Sequence, residues 1–184
     1  MTFFGGADLS LTGSGLVIID ESGKIIASQK LTTEARGTDR LFLLEKSLNK
    51  FLDENERVDL FCIEGGSFGS VGRLFDIGEW AGVFKLNLYH RGIKFVIATP
   101  SQLKLFISGS GKSGGKEIVI LDVFKNYGVE LRDDNIADAF VLSQIARSFK
   151  LGVIDGRNLN LKDYQIKTLK KIYDSDQAVS KSLI

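Results

Sequence analysis

The first 33 residues constrain the fold more than any other part of the sequence. They read as three strands: an apolar run to Asp8, the apolar run over residues 15–19, and a third segment over residues 24–33. The polar stretch 20–23 between the last two segments is typical of a hairpin turn. Because strands joined by so short a turn pair antiparallel, we predict that the chain begins with an antiparallel meander of three strands.

After the meander, helical and extended segments alternate. Apolar residues recur at 3.6-residue spacing over residues 40–55 and 74–89, which predicts two amphipathic helices, and short apolar runs predict strands over 58–63 and 93–98. Thr99 followed by Pro100 predicts a short helix to Ile107. Two more helices are predicted over 116–127 and 135–149, the second capped by Asp134, with a mobile loop over 108–115. The element order is βββαβαβααα, an α/β fold.

The composition excludes several classes of protein. One cysteine and one histidine are too few for a disulfide-stapled scaffold or a zinc finger. The start of the chain has no basic segment, and no apolar run approaches the roughly 18 residues of a membrane span, so we expect a cytoplasmic protein. A net charge of +1, from 24 basic and 23 acidic side chains, argues against a polybasic coating protein but permits a local basic face for DNA.

The length of 184 residues suits one domain with an appendage. We place the domain at residues 1–150 and a C-terminal helical extension at 151–184. The extension contains an amphipathic stretch between Leu161 and Ile172, after which we expect the chain to fray. It is either a helix docked on the domain, which we favour, or a tail that contacts DNA.

Three acidic residues stand where acids are unusual. Asp8 ends the first predicted strand, Glu64 ends the fourth, and Asp138 lies on an apolar helix face with Asp134 one turn earlier. A carboxylate directed toward a sheet requires a cation, and oxygen ligands select magnesium or manganese. Carboxylates that converge from two strands and a helix are what a two-metal phosphodiesterase site requires. Taken singly, each acid has an ordinary alternative as a turn residue, a helix cap or an ion-pair partner.

Three separated motifs resemble the RuvC family of Holliday junction resolvases, in its phage-encoded branch. They are residues 8–13 (DLSLTG), 63–68 (IEGGSF) and 133–139 (DDNIADA), and residues 72–79 and 98–104 are also similar. The resemblance covers residues 1–150. It implies a ribonuclease H-like fold, a mixed five-stranded sheet with helices on both faces. It also implies a homodimer that nicks two strands of four-way DNA with magnesium.

The resemblance also assigns roles to individual residues. Asp8, Glu64 and Asp138 match the acidic metal ligands of the family. For the fourth ligand we favour Asp134, while Asn135 stands at the matching position and remains the alternative. Lys116 matches a lysine near the scissile phosphate, where a cation stabilises the transition state. Ser10 departs from the family, which often has glycine after a proline there.

Further residues are expected to contact DNA. Phe68 resembles an aromatic residue at the junction centre, with ordinary packing as its alternative. The candidates for backbone phosphates are Arg73, Lys85, Lys104, Lys112 and Lys125. For the dimer interface we predict exposed apolar residues of the second helix, Trp80 and Val83 among them.

The sequence therefore predicts a magnesium-dependent, structure-selective endodeoxyribonuclease. Manganese would substitute for magnesium, with two ions in each active site. Its partners would be branched DNA, including forks and flaps, and a second copy of the chain, in the host cytoplasm if the gene is phage-encoded. The alternatives are an inactive ribonuclease H-like DNA-binding protein and a broader flap or fork nuclease.

Two classes of nucleotide-binding protein are excluded, one by its motif and one by the number of domains it needs. The segment 111–113 (GKS) imitates the end of a P-loop, but Phe106 occupies the place of its first glycine. An actin-like or sugar-kinase ATPase needs two domains around a cleft, and this chain supplies one. We expect no nucleotide cofactor and no membrane contact.

Overall fold

The computed structural model describes residues 2–55, 57–65, 74–110 and 116–181, and these contain a mixed sheet of five strands. The strands are β1 (Phe3–Asp8), β2 (Ser14–Asp20), β3 (Ile25–Leu31), β4 (Val58–Glu64) and β5 (Lys94–Ala98). The strand order is β3-β2-β1-β4-β5. β1, β4 and β5 run parallel, whereas the first three strands form an antiparallel meander. The predicted five-stranded mixed sheet is confirmed.

The helices follow the predicted order with small changes of boundary. They are α1 (Gly37–Asp53), α2 (Leu74–His90), α3 (Pro100–Ser108), α4 (Lys116–Tyr127), α5 (Asp134–Ser148) and α6 (Asp163–Lys181), with a π-helical turn at Phe149–Ile154. Thr99 caps α3 in a reciprocal capping box with Gln102, as the Thr-Pro pair predicts. Most of the predicted loop after Ser108 lies outside the described residues.

Helices cover both faces of the sheet. The alternation along β2 sends Leu16 and Ile18 into a core with α1 and α2, and Val17 and Ile19 into a second core with the other helices. Both faces of this strand are therefore buried, which explains why its sequence is continuously apolar rather than alternating.

Two glycines let α5 lie directly on the sheet. A Cβ atom on Gly6 of β1 would stand 1.9 Å from the backbone oxygen of Ala139, and one on Gly15 of β2 would stand 2.1 Å from the backbone oxygen of Asn135. Both distances are far below van der Waals contact, so a larger residue at either position would push the helix away. Because Gly6 and Gly15 have no side chains, the backbone of α5 can lie close to the central strands.

The C-terminal helix is docked on the domain. Leu169 and Ile172 of α6 are buried in the same core as Phe106 of α3. Gln165 also donates a hydrogen bond of 3.3 Å to the backbone oxygen of Phe106. The helix continues to Lys181, beyond Ile172, and fraying of its end stays a prediction. The division of the chain at residue 150 stays a prediction.

The prediction that Trp80 is exposed on the second helix was wrong. Trp80 is fully buried, and its indole nitrogen donates a 2.9 Å hydrogen bond to Ser14 Oγ. Val83 is half-buried against the same core. α2 is apolar on more than one face, so the spacing of its apolar residues does not reveal which side faces the sheet. Trp80 is therefore not part of an exposed surface, and the dimer interface stays a prediction.

None of the helices in the described part of the chain is long and apolar enough to span a bilayer.

Candidate active site

Asp8 and Glu64 meet at one edge of the sheet. The parallel register pairs Ala7 with Ile63, so Asp8 and Glu64 follow side by side at the carboxyl ends of β1 and β4. Each lies two residues after a residue that faces α5, Gly6 on one strand and Cys62 on the other, so both acids lie on that face of the sheet. Their side chains are hydrogen-bonded to each other. The predicted convergence of these two acids is confirmed.

The surroundings of Glu64 oppose its ionisation. Burial is the largest cause of its raised pKa and the negative charge of Asp138 adds to it, whereas the hydrogen bond with Asp8 and the positive charge of Lys104 act in the opposite direction. Hydrogen bonding between two carboxyl groups requires a shared proton. The acids at this edge are therefore difficult to ionise together unless a cation offsets their charges.

Helix α5 contributes the other predicted acids. Asp138 is half-buried and lies close enough to Glu64 to raise its pKa. Asp134 is the first residue of the helix and is not its cap. The cap is Asp133, which has an extended backbone and whose side-chain Oδ1 accepts the backbone amide of Ile136 at 3.1 Å. The assignment of Asp134 as N-cap was wrong, since packing places the first helical turn one residue earlier than predicted.

The donor set fits a hard divalent cation, because all the acids at this edge offer oxygen ligands. Within the described ranges, no group of three or more His, Cys, Asp or Glu side chains is gathered closely enough to hold a metal ion. The carboxyl groups of Asp8 and Glu64 are in contact, and Asp138 acts on Glu64 through its charge. The ligand assignments for Asp8, Glu64, Asp134 and Asp138 stay predictions.

A cavity of about 420 Å³ adjoins the two strand-end acids. Its lining includes Asp8, Glu64 and Ser10, together with Gly78 and Lys85 of α2. Two acids and a lysine therefore line the same cavity.

Some of the basic residues predicted to contact DNA lie near the acids, and others lie elsewhere. Lys104 of α3 lies close enough to lower the pKa of Glu64, and Lys85 lines the cavity. Lys125 is exposed on α4. Lys116 begins α4 as predicted, but its side chain lies outside the described part of the chain. Phe68, Arg73 and Lys112 lie outside the described residues altogether.

Some residues that shape the site were missed by sequence reasoning. Lys30 of β3 forms an ion pair of 2.6 Å with Asp133, and no local pattern connects positions so far apart. Gly6 and Gly15 did carry a signal, because a glycine inside a strand often marks a close backbone approach.

The sheet order, the helices on both faces and the acids at the ends of the two central parallel strands together define the ribonuclease H-like fold. Among solved structures, Thermus thermophilus RuvC matches with a TM-score of 0.68 at 19% identity, covering 84% of this chain and 96% of that one. The T. thermophilus RuvC in complex with Holliday junction substrate matches with a TM-score of 0.67 at 18% identity, covering 85% and 97%. These likenesses confirm the fold.

Sequence similarity leads to the same family. The crossover junction endodeoxyribonuclease RuvC of Prochlorococcus marinus subsp. pastoris is 27% identical over 139 residues, covering 73% of this chain and 88% of the relative. RuvC of Corynebacterium diphtheriae is 27% identical over 124 residues, covering 63% and 75%. No protein-family model matches the chain. Sequence and fold thus agree on RuvC, and the resemblance carried by the three motifs is confirmed. Its assignment to the phage-encoded branch stays a prediction.

Proposed function

We propose that this chain is a divalent-metal-dependent DNA endonuclease that resolves four-way junctions by paired nicking. The observation that carries the proposal is the contact between Asp8 and Glu64 at the ends of neighbouring parallel strands, with Asp138 acting on Glu64 from α5. An assembly of acids on the face of a DNA-binding protein repels phosphates unless cations stand between them. A nuclease has a use for that arrangement, whereas a simple DNA-binding protein does not.

Each acid has a defined place in the proposed site. Asp8, Glu64 and Asp138 would hold magnesium, with Asp134 as the fourth ligand because Asp133 already caps the helix. Two ions per site are proposed, with manganese as a substitute. When bound, divalent cations lower the pKa of an attacking water and offset the charge that develops on the phosphate.

The basic residues would act on the DNA itself. Lys104, which lies beside the acids, would bind a phosphate next to the scissile one. Lys116 would stabilise the additional negative charge of the pentavalent transition state. Phe68, Arg73 and Lys112 are retained as proposed DNA contacts from the sequence motifs. Because these contacts neutralise phosphates, affinity for a junction should fall steeply as salt rises.

The proposed assembly is a homodimer, because paired nicking of a two-fold symmetric junction needs two equivalent active sites. Its proposed location is the cytoplasm. Relatives with solved structures include a RuvC in complex with a Holliday junction substrate, which supports branched DNA as the substrate class.

A cleavage assay tests the proposal directly. Synthetic four-way junction, fork and linear duplex are incubated with the protein, with and without magnesium, and the nicks are mapped on labelled strands. We expect symmetric nicks in the junction that require the metal. Junction binding without cleavage under any divalent metal would instead support the inactive DNA-binding protein, and equal cleavage of forks and junctions would support the broader nuclease.

Substitutions of the acidic residues test which of them belong to the active site. Asp8→Asn, Glu64→Gln and Asp138→Asn should each abolish cleavage while junction binding is kept or tightened, since a metal ligand is lost and repulsion of phosphate falls. Asp59→Asn is the matched control, because Asp59 is an exposed residue near the opposite end of β4. Retained activity in one of the three test variants would remove that acid from the site.

A further inference from the structure

An ion pair links the edge strand of the meander to the start of α5. Lys30 of β3 is paired with Gly15 of β2 in the sheet register, so its side chain lies on the face that α5 covers. The side chain passes over Gly13, where a Cβ atom would stand 2.4 Å from Lys30 Cε. The Lys30 ammonium then meets Asp133 Oδ2 at 2.6 Å.

Asp133 transmits this contact to the first turn of α5. Its other carboxylate oxygen, Oδ1, accepts the backbone amide of Ile136 at 3.1 Å. One carboxylate thus joins Lys30 to the helix that carries Asp134 and Asp138. The same turn rests on the sheet at Gly15, where the Asn135 backbone makes its close approach. Two contacts therefore fix the start of α5 against the sheet. Lys30 contributes an ion pair, and Gly15 contributes the space for a close backbone approach.

We propose that Lys30 is a positioning residue for the metal site. It acts through Asp133 to hold the start of α5, which places Asp134 and Asp138 relative to the pair formed by Asp8 and Glu64. The inference rests on the proposed function, since it concerns the same carboxylates. Metal and catalytic sites require their ligands within about 0.5 Å of the productive geometry, and partners behind the ligands typically change metal affinity by about 10- to 100-fold.

Stability alone does not account for this pair. Both side chains are 36% exposed, and ion pairs at such exposure contribute little to folding. An exposed lysine near a DNA-binding face could alternatively anchor a phosphate. The two roles differ in one respect: a phosphate anchor acts without Asp133, whereas a positioning residue acts only through it.

A double-mutant cycle separates the roles. Lys30→Met removes the charge and keeps the aliphatic stem, while Asp133→Asn keeps a good helix cap and removes the ion pair. Manganese binding is measured without DNA by electron paramagnetic resonance of the free ion. We expect each single variant to weaken manganese binding by about 10-fold and the double variant to be no weaker than either. Lys30→Arg should restore most of the affinity.

The matched control is Arg157→Met. Arg157 forms an ion pair of 2.9 Å with Glu21 at the turn of the same hairpin, and its partners belong to neither the acids nor the start of α5. This variant should bind manganese as the wild type does. Thermal unfolding of all variants checks that the fold is kept.

Several outcomes would overturn the inference. One is unchanged manganese affinity in Lys30→Met together with a salt dependence of junction binding that is shallower by about one unit, which would make Lys30 a phosphate anchor. Additive losses in the double variant, or a wild type that binds no manganese, would also overturn it. A wild type that binds manganese but cuts no DNA would refute the proposed nuclease alone, and the variants would still decide the role of Lys30.

Discussion

The indole nitrogen of Trp80 donates a hydrogen bond of 2.9 Å to Ser14 Oγ, inside the core between α2 and the sheet. The same hydroxyl accepts the backbone amide of Ser10 at 3.1 Å and donates to the backbone oxygen of Ser10 at 2.9 Å. One buried serine thus joins α2, the start of β2 and the turn that follows Asp8. The shape of that turn depends on a contact in the core.

Ser14→Ala should therefore destabilise the protein by about 1–3 kcal/mol, because it leaves the buried indole N–H without its acceptor. Chemical denaturation monitored by Trp80 fluorescence measures the loss. Ser47→Ala is a suitable control, since Ser47 is a half-buried serine of α1 whose hydroxyl donates a local hydrogen bond to the backbone oxygen of Leu43. Equal stabilities of the two variants would contradict the role assigned to Ser14.

Gly15→Ala should both destabilise the fold and impair the site. The added Cβ would stand 2.1 Å from the Asn135 oxygen, so the start of α5 must move away from the sheet. Overpacking of this kind costs about 1–3 kcal/mol or more. Gly82→Ala on α2 meets nothing within 4 Å and should stabilise the helix by about 0.5–1 kcal/mol. Denaturation midpoints that move in the same direction for both variants would argue against the role of Gly15 as the contact point of α5 on the sheet.

Asp134→Asn and Asn135→Ala should separate the two candidates for the fourth ligand. Because Asp133 is the cap, Asp134→Asn should leave thermal stability nearly unchanged. If Asp134 is the ligand, its variant should slow junction cleavage by orders of magnitude while Asn135→Ala cleaves normally. Single-turnover rates at saturating protein measure the difference, and the opposite pattern would assign the ligand to Asn135.

Leu169→Ala should show how strongly the C-terminal helix belongs to the domain. Leu169 is 1% exposed and lies in the core shared with α3 and α5. Truncation of a buried leucine costs about 2–5 kcal/mol, and it should lower the stability of the whole chain in one transition. Ile166→Ala, on the same helix but 52% exposed, is the control. A separate, earlier transition in calorimetry would instead support an independent extension from residue 151.

We expect the stability of the protein to depend on pH through Asp20 in the hairpin turn. A hydrogen bond from the Ser22 side chain is the main cause of the lowered pKa of Asp20; burial opposes it, and backbone hydrogen bonds from Lys24, Ser22 and Gly23 add to it. The stabilisation is fully present above the ordinary value of 3.8 and disappears as the pH falls through the lower folded value. The stability difference between wild type and Asp20→Asn should therefore narrow below about pH 3.8. A difference that is constant from pH 7 to pH 2 would contradict this account.

Much of this fold was predictable because its signals are local. Short apolar runs mark most of the strands, the period of 3.6 residues marks helices, and the Thr-Pro pair marks the start of α3. The convergence of Asp8 and Glu64 was predictable as well. Residues at the carboxyl ends of neighbouring parallel strands must share an edge of the sheet, whatever the remaining packing is.

Tertiary structure decided the features for which the local sequence pattern allows more than one arrangement. Asp133 and Asp134 are equally good caps by residue type, and in the folded chain the cap is Asp133, beside the close approach of the Asn135 backbone to Gly15. Trp80 lies on a helix with apolar residues on several faces, so packing against Ser14 determined that it is buried. The ion pair between Lys30 and Asp133 joins positions 103 residues apart. Periodicity describes one element at a time, whereas the contacts that position these acids form between elements and exist only once the chain has folded.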